Sequence, residues 1–402
     1  MKEIKQTNQR VILHADANNF YASVECLSNP NLKNKPVAVT GNPDKRTGII
    51  LAKNEIAKGF GVKTGQTIGE ALALCPDLIC LPPHYEQYEE ISQQLHNIYL
   101  DYTPLVEPLG LDECWLDITG CKKYLGKSGV EVANELRKRA KDEIGITISV
   151  GVSFSKIFAK LGSDLKKPNA TTIIAADNFK DVVYQLPLNS IVGIGKRLEQ
   201  KFKAISINTI GDFVGLEDGY LKSVMGINGT NLKQDLLGER FVPVANYYQL
   251  PPPKSVGNGS TATRDIKTKA DASKLIYFLA QKISTRLIRH HLKGKTISLT
   301  IKLNNLTTVH KAQKCDYTNS VKDIAKGALD LFEKIYKYNY PIRAIRIKVS
   351  SLCSDSFYQT SMFDQPKKDY SEVIKQINDN HGKIFLASDS ASFINQNSYH
   401  KN

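Results

Sequence analysis

The chain has 402 residues, of which 41% are apolar, and a net charge of +14, so it is too long for one ordinary core and apolar enough to fold two to four domains. No apolar run approaches the roughly eighteen residues that a membrane span needs, and Met1–Arg10 is polar, so a soluble cytoplasmic protein without a membrane partner is expected. The seven cysteines show no C-x-x-C spacing, which argues against a zinc ribbon or a disulfide scaffold and for reduced, buried thiols. The charge is unevenly placed: Lys254–Ser350 holds 20 Lys and Arg against 6 Asp and Glu, while the rest of the chain holds 34 against 34. A surplus confined to one segment points to a polyanion, nucleic acid above all.

In chain order, Val11–Ala15 reads as a buried strand and Pro36–Thr40 as a short second one. Ser128-Gly129-Val130-Glu131 is a capping box, which predicts a helix to about Lys141 that Gly145 ends. Ile146, Ile148, Val150 and Val152 then alternate with small residues as in a half-buried strand. Strands and helices interleave without the regular alternation of a doubly wound sheet, so an α+β multi-domain fold with a largely antiparallel sheet is expected. From Leu186-Pro187 onward come short helices punctuated by glycine, and Pro251-Pro252-Pro253 reads as a stiff tether between domains. Beyond it, strand-like runs (Thr296–Leu303, Ala344–Val349) accompany amphipathic helices (Ala272–Leu287, Val321–Tyr336). From Cys353 the chain turns polar, with a short helical stretch near Tyr370–Ile377, and reads as a flexible tail. No internal repeat is visible.

Two apolar runs are interrupted by acids: Val11-Ile12-Leu13-His14-Ala15-Asp16 and Gly110-Leu111-Asp112-Glu113-Cys114-Trp115-Leu116-Asp117. A carboxylate in a stretch that otherwise favours burial is costly unless a cation stands against it. If the two strands meet, Asp16, Asp112 and Glu113 could hold a pair of magnesium ions, the arrangement used for in-line phosphoryl transfer. Adjacent side chains on a regular strand point to opposite faces, so Asp112 and Glu113 share a site only at a bend, which Gly110 favours. The plainer alternative is a set of solvated acids at strand ends.

Asp-x-Asn-Asn-Phe-Tyr-Ala-Ser-Val-Glu (Asp16–Glu25), Leu-Asp-Glu-Cys-Trp-Leu-Asp (Leu111–Asp117) and Phe-Ala-Lys-x7-Pro-Asn (Phe158–Asn169) together resemble a Y-family, DinB/UmuC-type translesion DNA polymerase, from about Arg10 to about Leu352. The resemblance implies a right-hand arrangement: palm over 1–18 and 84–175, small fingers over 19–83, a helical thumb over 176–246, a linker over 247–253, an α+β little finger that binds DNA over 254–352, and a flexible tail over 353–402. It implies Asp16, Asp112 and Glu113 as catalytic ligands of two Mg²⁺, with the backbone carbonyl of Ala17 completing one site. Asn18 departs from a second aspartate common in the family, at a position that is not a direct ligand there. Tyr21 matches the steric gate that would exclude a ribose 2′-hydroxyl, with Phe20 packed beside it. Triphosphate contacts would fall to Lys58, where the family usually has arginine, to Lys167, and more weakly to Lys160. Glu55 stands where the family usually has tyrosine, and a glutamate there would repel phosphates.

Ile191-Val192-Gly193-Ile194-Gly195-Lys196 lacks the spacing of a P-loop or a dinucleotide fingerprint. As a hairpin between two helices it resembles a helix-hairpin-helix, in which Gly193, Gly195 and Lys196 would approach a DNA phosphate. Arg343, Arg346 and Lys348 fall on a strand of the basic segment and would grip the DNA backbone, although the strict alternation slips at Ala344-Ile345. Gln359-Thr360-Ser361-Met362-Phe363 matches a sliding-clamp ligand, with Gln359, Met362 and Phe363 as anchors. The expectation is therefore a template-directed, low-fidelity polymerase without a proofreading exonuclease, acting as a monomer at the nucleoid on primer-template DNA and deoxynucleotides (dNTPs). Its rivals are a DNA-binding accessory protein of the same fold and a two-metal nuclease. The sequence does not separate the DinB from the UmuC branch.

Overall fold

A computed structural model describes residues 10–41, 48–121, 124, 126–337 and 339–356. The chain divides into two units, one holding the residues up to Pro43 together with Gly48–Leu250, the other beginning at Pro251. Among the described residues no helix is long and apolar enough to cross a membrane.

The strands of the first unit are β1 (Ile12–Ala17), β2 (Val37–Thr40), β3 (Ile50–Lys53), β4 (Ile79–Leu81), β5 (Val106–Pro108), β6 (Glu113–Asp117), β7 (Ile148–Ser153) and β8 (Thr171–Ile174). Five of them form a sheet in the order β5-β6-β1-β7-β8 and three form a smaller one in the order β3-β2-β4. β1 is central and pairs antiparallel with both β6 and β7, so its six residues are all buried. Ser128 and Glu131 form the expected capping box. Their helix, Gly129–Arg139, continues as a π turn, Ala140–Ile144, that Gly145 closes at φ 90°.

β7 departs from expectation. It is buried along its whole length rather than on one face, because the small residues between its apolar ones lie under the helix Lys156–Leu165. A Cβ on Gly151 would stand 1.9 Å from the Ala159 carbonyl oxygen. Glycine is thus what lets this helix lie directly on the sheet, with Phe158, Ala159 and Leu161 buried.

The tether also differs. Tyr247–Gln249 is a 3-10 turn, and Tyr247 packs edge-on against His96 at 5.5 Å while its N–H donates to the Pro104 carbonyl. The apolar body of Tyr247 belongs to the five-stranded sheet's core, so the division falls after Leu250 rather than at residue 247.

The second unit holds β9 (Ser255–Ile266), β10 (Leu292–Leu303), β11 (Thr308–Thr318) and β12 (Ile342–Ser354), all antiparallel, in the order β11-β10-β12-β9. Its helices Lys269–Arg289 and Val321–Ile335 share one core with Ile297, Leu299, Ile301, Ile345, Ile347 and Val349, which alternate along β10 and β12. A register shift between Ile342 and Ala344 explains the slipped alternation. β12 runs through Ser354, which pairs with Leu292, so the tail begins later than Cys353. The helical stretch near Tyr370 lies outside the described residues.

Candidate active site

The acids of the two motifs do meet. Asp16, at the end of β1, is the cross-strand neighbour of Glu113, and the Asp112 carbonyl accepts from the Ala17 N–H at 2.9 Å. Residues 109–112 form a bend between β5 and β6, and a Cβ on Gly110 would press to 3.1 Å from Asp112 Oδ1. The bend required to bring Asp112 and Glu113 to one place is therefore present, and Gly110 sits in it.

Asp16 is 4% exposed. Burial raises its pKa above the usual carboxylate range, against the pull of Lys160 and Lys167. Burial also raises Asp112, and repulsion from Glu113 and Asp16 adds to it. Burial acts upward on Glu113 too, but His14, Asp16 and Lys160, whose Nζ donates to Glu113 Oε1, hold it low. The carboxylates thus form a site with more negative charge than its surroundings accept.

Two lysines answer that charge. Lys160 Nζ lies 3.0 Å from Asp16 Oδ2, 2.7 Å from Glu113 Oε1 and 3.2 Å from Asp164 Oδ2. Lys167 Nζ lies 2.8 Å from both Asp16 Oδ2 and Asp164 Oδ1. Lys160 is only 7% exposed, so it is placed as a counter-ion within the acids, whereas Lys167 is the more open of the two. His14, wholly buried at the middle of β1, stands 2.8 Å from Ser163 Oγ and faces Glu113 at 3.7 Å.

Asn18 uses both ends of its amide. Its Nδ2 donates to Ser149 Oγ at 2.9 Å, and its Oδ1 accepts from the Asn169 N–H at 2.8 Å. Arg137 holds the other side of Asn169, donating to its Oδ1 at 3.1 Å. The departure from aspartate thus pins the turn that carries Lys167.

Tyr21 lies in the first turn of the helix Phe20–Ser28. Its ring is stacked on Tyr88 at 4.3 Å with 13° between planes, and meets Phe20 at 5.8 Å and Tyr85 edge-on at 6.0 Å. Its pKa is raised by partial burial, then by Tyr85 and by the Asp112 carboxylate.

Lys58, in the helix Glu55–Gly59, pairs with Glu55 at 3.2 Å, and Glu55 Oε1 accepts from Asn19 Nδ2 at 2.8 Å. Lys53 was missed by sequence reasoning. Its pKa is lowered by burial and by the fields of Lys58 and Lys167, so three cations share this region. Only a strand end bearing a lysine hinted at it.

Gly193 has φ 99°, and Gly195 caps the helix Lys196–Lys203. No atom lies within 4 Å of a Cβ placed on either glycine, so backbone approaches there freely. The element before the hairpin is the 3-10 turn Leu188–Ser190 rather than a full helix. In the second unit, Arg346 and Lys348 are exposed on the sheet face opposite the core and stand across from Gly259 and Gly257 of β9. They line an open cavity of about 270 Å³ with Ser255 and Asn258. Arg343 falls at the register shift, apart from that row. Gln359, Met362 and Phe363 lie outside the described residues.

Residues 15–164 match the impB/mucB/samB family and residues 253–362 match the C-terminal domain of that family. The chain is 41% identical over 371 residues to DNA polymerase IV of Acetivibrio thermocellus, covering 92% of this chain and 93% of the relative. It is 33% identical over 373 residues to DNA polymerase IV 1 of Bacillus subtilis, covering 92% and 89%. A solved Y-family DNA polymerase chimera of Dbh and Dpo4 superposes with a TM-score of 0.74 at 24% identity, covering 85% of this chain and 98% of that one. With this α+β multi-domain fold and identity sustained along nearly its whole length, the chain belongs to the Y family of DNA polymerases, in its DNA polymerase IV branch.

Proposed function

We propose that Asp16, Asp112 and Glu113 hold two magnesium ions at which a deoxynucleotide is joined to a primer 3′ end. The enzyme is a DNA-directed DNA polymerase of the translesion type, with DNA and dNTPs as substrates and a requirement for divalent metal. The observation that carries the site assignment is the convergence of three carboxylates whose shared charge draws in two lysines.

The donor set suits magnesium, being oxygen only and richer in charge than its lysine partners neutralise. Among the described residues no three acids already stand in ligating geometry, so Lys160 or Lys167 yields when cations enter. Divalent cations bound there supply neutralisation of the transferring phosphate and acidify the primer hydroxyl. The carbonyl of Ala17 is a further oxygen donor in this reading.

The chain's own residues do the rest. Tyr21, backed by Phe20, occupies the volume of a 2′-hydroxyl. Lys58, Lys53 and Lys167 spread charge over the triphosphate, and Glu55 has to release Lys58 for this. The domain limits are those the sequence resemblance implies, except that the first unit runs to Leu250 and the little finger from Pro251 to Ser354. Gly193, Gly195 and Lys196 of the thumb and Arg346 and Lys348 of the little finger hold DNA phosphates, with Arg343 at the margin. Gln359, Met362 and Phe363 tether the enzyme to a sliding clamp, a reading supported by their sequence pattern alone. The enzyme works as a monomer in the cytoplasm, at the nucleoid.

Primer extension with Mg²⁺ on undamaged and abasic templates tests this function. Template-dependent extension across both is expected. DNA binding without extension, even with Mn²⁺, would support the accessory-protein reading, and cleavage without dNTPs would support a nuclease.

A further inference from the structure

Glu25 is a carboxylate 5% exposed, and nothing in the proposed nucleotide chemistry uses it. It sits four residues after Tyr21 on the helix Phe20–Ser28, a spacing that puts both side chains on one helix face. Both face the same partner. Tyr88, wholly buried on the helix Tyr85–Leu100, lies with its ring flat against Tyr21 while its hydroxyl donates to Glu25 Oε1. His84 Nδ1, just ahead of that helix, is 3.0 Å from both Glu25 oxygens. Burial and the bond to Glu25 raise the Tyr88 pKa, so the phenol remains a donor.

A buried carboxylate is expensive compared with a leucine of similar size, and what it adds is direction. Stacking alone lets Tyr88 slide and tilt under Tyr21, because ring contacts are broad in angle. The bond at the far end of the phenol removes that freedom, and Tyr21 inherits a fixed plane from the ring beneath it. We propose that Glu25 is a positioning residue for sugar selection, anchoring Tyr88 so that the Tyr21 ring is held at one height and tilt against the incoming sugar. The proposal rests on the reading of Tyr21 as the sugar gate.

The test is the ratio of kcat/KM for a deoxynucleotide to that for its ribonucleotide, measured for the wild type and for Tyr21→Ala, Glu25→Ala, Tyr88→Phe and Glu25→Gln. Tyr88→Phe keeps the ring and removes only the hydroxyl, so it remains informative even where Glu25→Ala folds poorly. The ratio is expected to collapse in Tyr21→Ala, to fall about tenfold in Tyr88→Phe and in Glu25→Ala, the scale of one broken hydrogen bond, and to survive largely in Glu25→Gln, which keeps an acceptor. The Glu25→Ala, Tyr88→Phe double variant is expected to be no worse than Glu25→Ala alone, which already removes the bond that Tyr88→Phe breaks. A wild-type ratio in Tyr88→Phe, or equal losses for both sugars in Glu25→Ala, would overturn the proposal while leaving Tyr21 as the gate. An unchanged ratio in Tyr21→Ala would remove the gate reading and this proposal with it.

Discussion

Lys160 shows how a single side chain can carry a site. It lies among Asp16, Glu113 and Asp164, and burial of an ion is tolerable only with such partners. Lys160→Met leaves Asp16 with Lys167 alone and Glu113 with His14. A loss of about 2–3 kcal/mol is expected, read as a lower urea midpoint with an unchanged slope. A midpoint equal to wild type would mean that the pairs contribute nothing net. The meeting of the acids was legible at this scale: Asp16, Asp112 and Glu113 stand out as acids breaking apolar runs, and Gly110 marks the bend between β5 and β6. The partners were not. Lys160 and Asp16 are 144 residues apart, and no local pattern distinguishes a lysine that neutralises acids from one that meets phosphates. His14 looked like part of an apolar run because its partner Ser163 comes from a distant helix.

Among elements, those with strong apolar periodicity were legible and polar ones were not. β1, the capped helix at Ser128 and the two amphipathic helices of the second unit appear where expected. β11 escaped because it is largely exposed and lacks a continuous apolar face, and β9 because glycine and serine break its pattern. The return of residues 247–250 to the first unit escaped as well, since the place of Tyr247 is set by His96 on the distant helix Tyr85–Leu100. That docking makes a pH-dependent contact. His96 sits under Tyr247 and burial lowers its pKa to about 4. A histidine depressed in the folded state adds stability that is complete above its unfolded pKa of about 6.5 and is lost as pH falls toward the folded value. Stability is expected to drop by on the order of 2 kcal/mol from this residue between pH 7 and 4.5, seen as a steeper fall of Tm in the wild type than in His96→Leu. Parallel curves for the two proteins would show that His96 does not titrate on unfolding.

On the scale of the whole molecule, charge was the clearest message of the sequence. The surplus of 20 cations against 6 anions between Lys254 and Ser350 falls on a unit whose sheet turns Arg346 and Lys348 away from its core. If these two meet DNA phosphates, the Arg346→Ala, Lys348→Ala double variant lowers the log–log salt dependence of DNA binding by about 2, near 0.9 for each phosphate no longer neutralised. An unchanged slope would place the DNA-binding cations elsewhere on the unit. That Arg343 stands apart from the row of Arg346 and Lys348 was not legible, because only the register shift between Ile342 and Ala344 separates them. The assignment of Asp16, Asp112 and Glu113 as the catalytic site, on which the rest depends, is tested most directly by single-nucleotide incorporation under saturating primer-template with Mg²⁺. The wild type is compared with the Asp112→Asn, Glu113→Gln double variant, and DNA affinity is measured alongside. A rate lower by at least about a thousandfold is expected, the scale of losing groups that act only in the transition state, at unchanged DNA affinity. Incorporation within about tenfold of wild type, a difference of only ~1.4 kcal/mol in the barrier, would contradict the assignment.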